Sequence, residues 1–190
     1  AFSWARLETG ANGLNLSLVD IASIVDKSID QLQTQLIARP FARVAIAKSL
    51  RSVRQFYADR DLLRTMVVNL LENAIKYSHK RNRDGPSIIV SAEIVNSELV
   101  LRFTNWGLGI PPNDYERIFE SYVRKSMHDP LETYQGAGLG LSTCKLIVEA
   151  HGGSISVEST PTLDDPRKSA DLKGYLTTFT VKLPMNMERK

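Results

Sequence analysis

The sequence predicts an α+β protein, a two-layer α/β sandwich in which helices pack on one face of a mixed sheet. Three long segments carry apolar residues at spacings of three and four, the period of an amphipathic helix. About six shorter segments are rich in β-branched and aromatic residues and are bounded by turn residues, as strands are. With 190 residues, 43% of them hydrophobic, the chain is long enough to bury one substantial core.

The predicted elements follow one another along the chain. Residues 1–10 have a helical composition and end in glycine, which indicates the end of a helix. Loops are predicted over 105–114 and 160–173, where glycine, proline or polar residues are frequent, and a lid is predicted over 123–135, which lacks periodicity. The predicted helices are 19–38, 60–77, a short one over 115–121, and 138–151; the predicted strands are 43–50, 53–58, 87–95, 98–104, 154–159 and 175–183.

The composition excludes several classes of protein. The net charge of +3 is small and its basic residues are spread along the sequence, so we expect no nucleic-acid partner. No run approaches the roughly 18 apolar residues of a membrane helix. The single Cys144 cannot form an internal disulfide and is expected to be a small buried hydrophobe in a cytoplasmic protein. Because the chain begins without methionine, we expect a piece of a longer protein, whose membrane anchorage stays open.

The segment Asn69–Ser78, NLLENAIKYS, places a polar stripe on the predicted helix over 60–77. Asn69, Asn73 and Lys76 are separated by four and three residues and therefore share one arc of the helix. Carboxamide oxygens are suitable ligands for Mg²⁺ or its water shell, and a lysine charge suits phosphate. Taken alone, such a stripe is better explained as a solvated helix face.

Two glycine-rich segments follow this stripe. They are Gly107-Leu-Gly109-Ile-Pro and Gly136-Ala-Gly-Leu-Gly140, the second of which opens a predicted helix. Backbone amides at a glycine-rich turn before a helix favour phosphate. Each segment alone is a weak signal, because the second lacks the Lys-Ser/Thr of a P-loop and the preceding strand of a dinucleotide fold.

Taken in order, these segments resemble the four boxes of the ATP-binding catalytic domain of sensor histidine kinases. That domain belongs to the superfamily of type II topoisomerases, ninety-kilodalton heat-shock chaperones and mismatch-repair ATPases. NLLENAIKYS matches the N box, NWGLGI the first glycine box, IFESYVR the F box and GAGLGLS the second glycine box, and IVEAHGGSISVES extends the similarity. The resemblance implies a Bergerat-type fold over 19–190. Residues 1–18, which contain RLETG, would then be the end of a dimerisation helix and a linker.

The resemblance also implies a role for each matching residue. Asn73 would ligate Mg²⁺, Asn69 and Lys76 would act at the metal and the phosphates, and Tyr77 would pack on the adenine. Arg124 would reach the γ-phosphate from the lid, while Phe119 is expected only to pack. The implied catalytic set is Asn69, Lys76 and Arg124, and the implied ATP-binding set is Asn69, Asn73, Lys76, Tyr77, Asn105, Gly107, Gly109, Ile110, Tyr122, Gly136, Gly138, Leu139 and Gly140.

One position of the N box distinguishes branches of the superfamily. Asn69 stands where the ATP-hydrolysing branches and the serine kinases carry a glutamate base. A carboxamide cannot take a proton, whereas a neutral imidazole already offers a lone pair, so Asn69 favours histidine as the phosphate acceptor.

Asn105 stands where the family usually has an aspartate that binds the adenine amino group. A neutral acceptor is weaker, so we expect weaker adenine binding.

The expected function is transfer of the γ-phosphate of Mg-ATP to a histidine on an adjoining dimerisation domain of a homodimeric parent. A response regulator would then receive the phosphate. His79, His128 and His151 are expected to be surface or capping residues, so the acceptor histidine is expected outside this chain. Two alternatives remain: a nucleotide-binding pseudokinase that acts as an interaction module, supported only by Asn105, and a serine kinase or ATPase, disfavoured by Asn69. The stimulus, the cognate regulator and any phosphatase activity stay open.

Overall fold

The computed structural model describes residues 13–79, 85–120, 140–162 and 174–186. Two 3-10 turns, Pro112–Asp114 and Arg117–Phe119, lie after the fifth strand. The helices are α1 (Ile21–Gln31), α2 (Gln33–Ala38), α3 (Lys48–Arg51), α4 (Arg60–Tyr77) and α5 (Gly140–Ala150). The strands are β1 (Leu16–Val19), β2 (Val44–Ile46), β3 (Phe56–Asp59), β4 (Ile88–Val95), β5 (Glu98–Gly107), β6 (Ser154–Pro161) and β7 (Tyr175–Pro184).

The main sheet has five strands in the order β2-β4-β5-β7-β6. Strand β2 pairs in parallel with β4 and the other pairs are antiparallel, so the sheet is mixed. Alternate side chains of β4, β5 and β7 join buried side chains of α1, α4 and α5 in one core. The predicted α+β sandwich with a mixed sheet is therefore confirmed. A second, two-stranded sheet of β1 and β3 was not predicted.

Helix α4 is the central helix of the helical layer and was predicted to the residue. The carboxylate of Asp59 accepts a hydrogen bond from the backbone N–H of Leu62 and caps its first turn. After Tyr77 the chain becomes extended, and Ser78 forms a single bridge to Gly107 of β5. The buried residues of the helix are Leu62, Leu63, Met66, Val67, Leu70, Leu71, Ala74 and Ile75.

His151 joins the end of α5 to the start of α4. The residue is 1% exposed. Its Nδ1 donates to the Ile147 carbonyl at 2.7 Å, and its Nε2 accepts from the backbone N–H of Asp59 at 3.1 Å. Burial lowers the pKa of this histidine, against smaller opposing effects of the Ile147 carbonyl and Asp59. His151 was expected to be a surface or capping residue. It is not on the surface, although its ring does bond a carbonyl in the last turn of α5.

The predicted helix over 19–38 is divided, and its first residue belongs to a strand. The Asp20 carboxylate accepts the N–H of Ala22 at 2.9 Å and starts α1 at Ile21. Val19 therefore ends β1, which pairs with β3. The helix breaks at Leu32, and the following α2 has no fully buried residue; only the partly buried Leu36 packs against the core.

Several other predicted boundaries were wrong. The predicted strand over 43–50 pairs only at Val44–Ile46 and then turns into α3, and the strand predicted over 53–58 lies at Phe56–Asp59. Residues 105–107 are the end of β5 rather than loop, because β5 pairs with β7 as far as Gly107. In the described part of the short helix predicted over 115–121, the chain forms the 3-10 turn Arg117–Phe119 instead, and the turn Pro112–Asp114 precedes it. The N-terminal helix end, the lid and most of the loop predicted over 160–173 lie outside the described residues, so the division at residue 18 stays a prediction.

Candidate functional site

The polar edge of α4 faces the beginning of α5. Asn69, Asn73 and Lys76 are half-buried, next to helix positions that are fully buried. The Asn69 amide Nδ2 donates to the carbonyl of Gly140, the first residue of α5, at 3.4 Å. A methyl group placed at Gly140 would make only ordinary contacts with Asn69, so packing against Asn69 does not require a glycine there. The N box and the end of the second glycine box are thus brought together.

Cys144 lies on α5 beneath the same polar edge. Its side chain is fully buried and its thiol donates to the carbonyl of Met66 at 3.7 Å. Burial raises the pKa of the Cys144 thiol to about 12, although a hydrogen bond with Asn69 works in the opposite direction. The thiol is therefore protonated at neutral pH, and the prediction of a small buried hydrophobe is confirmed.

The end of α4 is joined directly to β5 at the first glycine box. The Tyr77 carbonyl accepts the N–H of Leu108 at 3.1 Å, and the Trp106 carbonyl accepts the N–H of His79 at 3.1 Å. A side chain at Gly107 would overlap the Tyr77 carbonyl. Gly107 is therefore needed for this close backbone approach, which holds Lys76 and Tyr77 beside the glycine box.

Two hydroxyl groups hold the loop that follows β5. The N–H of Ile110 donates to Ser159 Oγ at 3.0 Å, Ser159 Oγ lies 2.8 Å from Thr177 Oγ1, and Thr177 Oγ1 donates to the Leu108 carbonyl at 3.2 Å. The hydroxyl of Thr177 gives its hydrogen to Leu108, so Ser159 is the donor between the two hydroxyls. Both ends of the loop 108–110 are therefore bonded to the sheet, and the ring of Tyr175 occupies the space beside Gly109.

The turns after the loop are attached to the edge strand β6. The Tyr115 hydroxyl accepts the N–H of Ser159 at 2.8 Å and donates to the Ser159 carbonyl at 3.1 Å. Phe119 is 6% exposed and stacks edge-on against Phe179 of β7, with ring centroids 6.2 Å apart, as expected for a packing residue. The segment that leads to residue 120 is thus fastened to the same end of the sheet.

Asn105 occupies the middle of this end of the sheet. It pairs with Ile88 on one side and Thr177 on the other, and Thr177 pairs with Ser159. Asn105 is 3% exposed, and its Nδ2 has no hydrogen-bond partner among the described residues. A buried donor without an acceptor costs about 1–3 kcal/mol. Such a donor fits a site whose missing partner is a polar edge of a bound base.

Sequence reasoning missed Ser159, Thr177 and Tyr115, although a signal for two of them was present. Every second residue of β7 is buried, from Leu183 and Val181 back to Thr177. The polar Thr177 therefore occupies a position where an apolar, core-facing residue is expected. Ser159 is in phase with the buried Val157 of β6 in the same way. A polar residue at the end of a buried stripe indicates a site where the core meets a ligand.

The structure describes nine of the predicted site residues. Lys76 Nζ lies 5.2 Å from the centroid of the Tyr77 ring, and the Lys76 carbonyl accepts from Arg39 at 2.7 Å. Contacts join Asn69 on α4 to Gly140 on α5, and Tyr77 on α4 to the backbone at Gly107 of β5. The other described residues of the set are Asn73 and Lys76 on α4, Asn105 on β5, and Gly109 and Ile110 in the loop after β5. The remaining predicted residues, Tyr122, Arg124, Gly136, Gly138 and Leu139, lie outside the described residues.

Within the described ranges, no three His, Cys, Asp or Glu residues form a group able to hold a metal ion. A single carboxamide ligand, as Asn73 would be, suits Mg²⁺ that keeps several waters and bonds substrate phosphates. In the same part of the chain, no helix has the length and apolarity needed to cross a membrane.

Comparisons with known proteins agree with this geometry. The profile of the family described as histidine kinase-, DNA gyrase B- and HSP90-like ATPases matches residues 58–187. The sensor-like histidine kinase SenX3 of Mycobacterium tuberculosis is 30% identical over 184 residues, which are 97% of this chain and 40% of that protein. The adaptive-response sensory kinase SasA of Rippkaea orientalis is 39% identical over 105 residues, 55% of this chain and 25% of that protein.

Solved structures share the fold. The crystal structure of full-length ShkA in complex with AMPPNP has a TM-score of 0.71 and 22% identity, covering 98% of this chain and 34% of that one. The mycobacterial sensor histidine kinase MprB has a TM-score of 0.64 and 25% identity, covering 89% of this chain and 100% of that one. The chain spans about 40% of the length of SenX3. With its boxes, its mixed sheet and these matches, the chain belongs to the family of histidine kinase-, DNA gyrase B- and HSP90-like ATPases, as a catalytic ATP-binding domain of the sensor histidine kinase type.

Proposed function

We propose that this domain binds Mg-ATP and donates the γ-phosphate to a histidine on an adjoining dimerisation domain in two-component signalling. The observation that carries the proposal is the convergence of two unlike surfaces. The edge of α4 that carries Asn69, Asn73 and Lys76 lies beside the glycine loop at the end of β5. Strand β5 also carries Asn105, whose buried Nδ2 has no partner among the described residues. One surface suits phosphates and metal, and the other suits a planar polar base.

The phosphate end is assigned to α4. Asn73 would ligate Mg²⁺, Lys76 would supply a positive charge to the phosphates, and Arg124 of the F box would contact the γ-phosphate. When bound, Mg²⁺ neutralises phosphate charge that develops during transfer. The contribution of the chain is positioning and electrostatic stabilisation, because phosphoryl transfer needs little covalent chemistry from the protein. ShkA, which shares the fold, was solved in complex with the ATP analogue AMPPNP.

The acceptor is assigned from Asn69. This carboxamide donates to the Gly140 carbonyl and cannot act as a general base. Glu72 of the same helix accepts from Gln35 at 3.0 Å on the exposed side, so it does not replace the base. An imidazole nitrogen attacks with its own lone pair, whereas a serine hydroxyl or water must lose a proton. Asn69 therefore favours a histidine acceptor over hydrolysis or serine phosphorylation.

The length of the relatives supports the proposed partners. SenX3 and SasA are named as kinases and extend well beyond the region they share with this chain. His151 is buried in the fold and His79 follows the N box, so neither lies on a dimerisation helix. We assign the acceptor histidine to a dimerisation domain of the same parent protein, which would be a homodimer, and the next acceptor to the receiver domain of a response regulator.

Phosphotransfer in trans tests the proposal. The chain is mixed with the dimerisation domain of its parent, magnesium and ATP labelled on the γ-phosphate. We expect label on the dimerisation domain that is labile to acid and stable to base, and almost none on the chain alone. Nucleotide binding without transfer would instead indicate the pseudokinase. Acid-stable label would indicate a serine kinase, and rapid release of free phosphate an ATPase.

A further inference from the structure

We propose that the base pocket of this domain accepts 6-oxopurine nucleotides as well as 6-aminopurine nucleotides, because Asn105 can offer the base either a donor or an acceptor. The inference rests on the proposed function, since it concerns the base of the nucleotide bound there. It concerns the departure of this chain from the aspartate that its family usually has at this position.

The position of Asn105 is set by the sheet. Its strand is paired on both sides, with Ile88 of β4 and with Thr177 of β7, so its backbone cannot shift without breaking the centre of the sheet. The hydroxyl of Thr177 is bonded to Leu108 and to Ser159. Asn105 Nδ2 is buried without a partner among the described residues. Rotation of its side chain is the remaining means by which this group can meet a ligand.

The two purine types present opposite patterns at the edge formed by position 6 and N1. A 6-aminopurine has a donor at position 6 and an acceptor at N1, whereas a 6-oxopurine has an acceptor at position 6 and a protonated N1 donor. A carboxamide carries one acceptor and one pair of donors, and its terminal torsion has two roughly equivalent orientations. A half-turn about that torsion therefore lets Asn105 match either base.

A carboxylate at the same position behaves differently. Ionised aspartate is only an acceptor, so it can accept from the 6-amino group of one base or from the N1–H of the other, and in both cases it leaves the neighbouring acceptor of the base without a donor. Asn105 can instead supply a donor and an acceptor to either base. Its tolerance therefore rests on two hydrogen bonds with each purine type.

The test compares ATP with ITP, whose hypoxanthine has the 6-oxo group and no 2-amino group. Each nucleotide displaces a fluorescent ATP analogue from the chain in magnesium buffer. We expect the dissociation constants of the unaltered chain to differ by less than about 10-fold. In Asn105→Leu, which keeps the size of the side chain but removes its donor and its acceptor, ATP and ITP should both bind about 10-fold more weakly. Asn113→Leu is the matched control, because it makes the same change on an exposed turn.

Three outcomes would overturn the inference. Rejection of ITP by more than about 10-fold in the unaltered chain refutes it while leaving the proposed function intact. Unchanged affinities for both nucleotides in a folded Asn105→Leu also refute it. Failure of the unaltered chain to bind either nucleotide refutes both the inference and the proposed function. If thermal melting shows that Asn105→Leu is unfolded, the ratio for the unaltered chain still decides.

Discussion

The two ends of the candidate site differ in how much of their geometry the protein itself holds in place. At the base end, Ile110, Ser159, Thr177 and Leu108 form a continuous chain of hydrogen bonds that leaves the loop after β5 bonded at both ends. At the phosphate end, the Asn73 side chain makes no hydrogen bond to another described residue. The loop at the base end is therefore held in place before a nucleotide arrives. At the phosphate end, Asn69 is held by the Gly140 carbonyl, whereas Asn73 depends on groups that arrive with the nucleotide.

This difference separates two roles for binding energy. A preorganised base pocket loses little conformational entropy when it binds a nucleotide. A phosphate end assembled around metal and phosphates can bond more strongly in the transition state than in the ground state, which is what accelerates transfer. Substitutions at the two ends are expected to separate affinity from rate.

The largest effect is expected at Asn73. Asn73→Ala removes the proposed Mg²⁺ ligand and should lower phosphotransfer in trans by about 100-fold or more. Because alanine is a better helix former and no bond to a described residue is lost, the free energy of unfolding should stay within about 1 kcal/mol. Asn113→Ala, on the exposed turn, should change neither quantity. A rate for Asn73→Ala within about 3-fold of the unaltered chain would contradict the assignment of the metal.

A smaller effect is expected at Thr177. Thr177→Val leaves the Leu108 carbonyl without its hydroxyl donor, which should cost about 1–2 kcal/mol of stability. The loosened loop should weaken nucleotide binding by about 3–10-fold, while transfer from bound nucleotide stays nearly constant. Titration calorimetry and single-turnover transfer would measure these separately.

Thr180→Val is the matched control for Thr177→Val. Thr180 lies on the same strand but on the opposite face, and its hydroxyl makes no hydrogen bond to a described residue. It should leave affinity unchanged. Equal affinities for Thr177→Val and the unaltered chain would show that the base end does not depend on its hydroxyl chain.

The elements with a strong period could be predicted from the sequence. Helix α4 was correct to the residue because eight of its apolar residues face one core and Asp59 supplies a capping signal. The helix predicted over 19–38 began two residues before α1 and ended seven residues after it. Its start depends on the cap at Asp20 and its end on the break at Leu32, and both depend on local hydrogen bonds and on which turns meet the core. Strand β1 is short and pairs with β3, from which 36 residues (20–55) separate it, so nothing local revealed it.

The site was predicted unevenly for a related reason. The polar stripe of α4 and the glycine boxes lie within short segments, where spacing alone shows a shared face. The hydroxyl chain joins β6, β7 and the loop after β5, and Tyr115 joins it from a turn. Such contacts depend on strand order and register, which a single sequence does not specify.

The smallest effect is expected at the far end of α4, where His151 bonds the backbone of its capping residue Asp59. Because burial holds the pKa of His151 below the ordinary value of 6.5, the unfolded chain binds a proton more readily than the folded one. The free energy of unfolding should therefore be greatest above pH 6.5 and fall as the pH is lowered. His151→Gln keeps a donor and an acceptor but has no proton to gain, so its stability should depend less on pH between 7.5 and 5.

Urea unfolding at several pH values measures this, with His79→Gln as the exposed control. Parallel pH profiles for His151→Gln and the unaltered chain would mean that His151 stays neutral throughout, and that the acid sensitivity of the α4 anchor lies elsewhere.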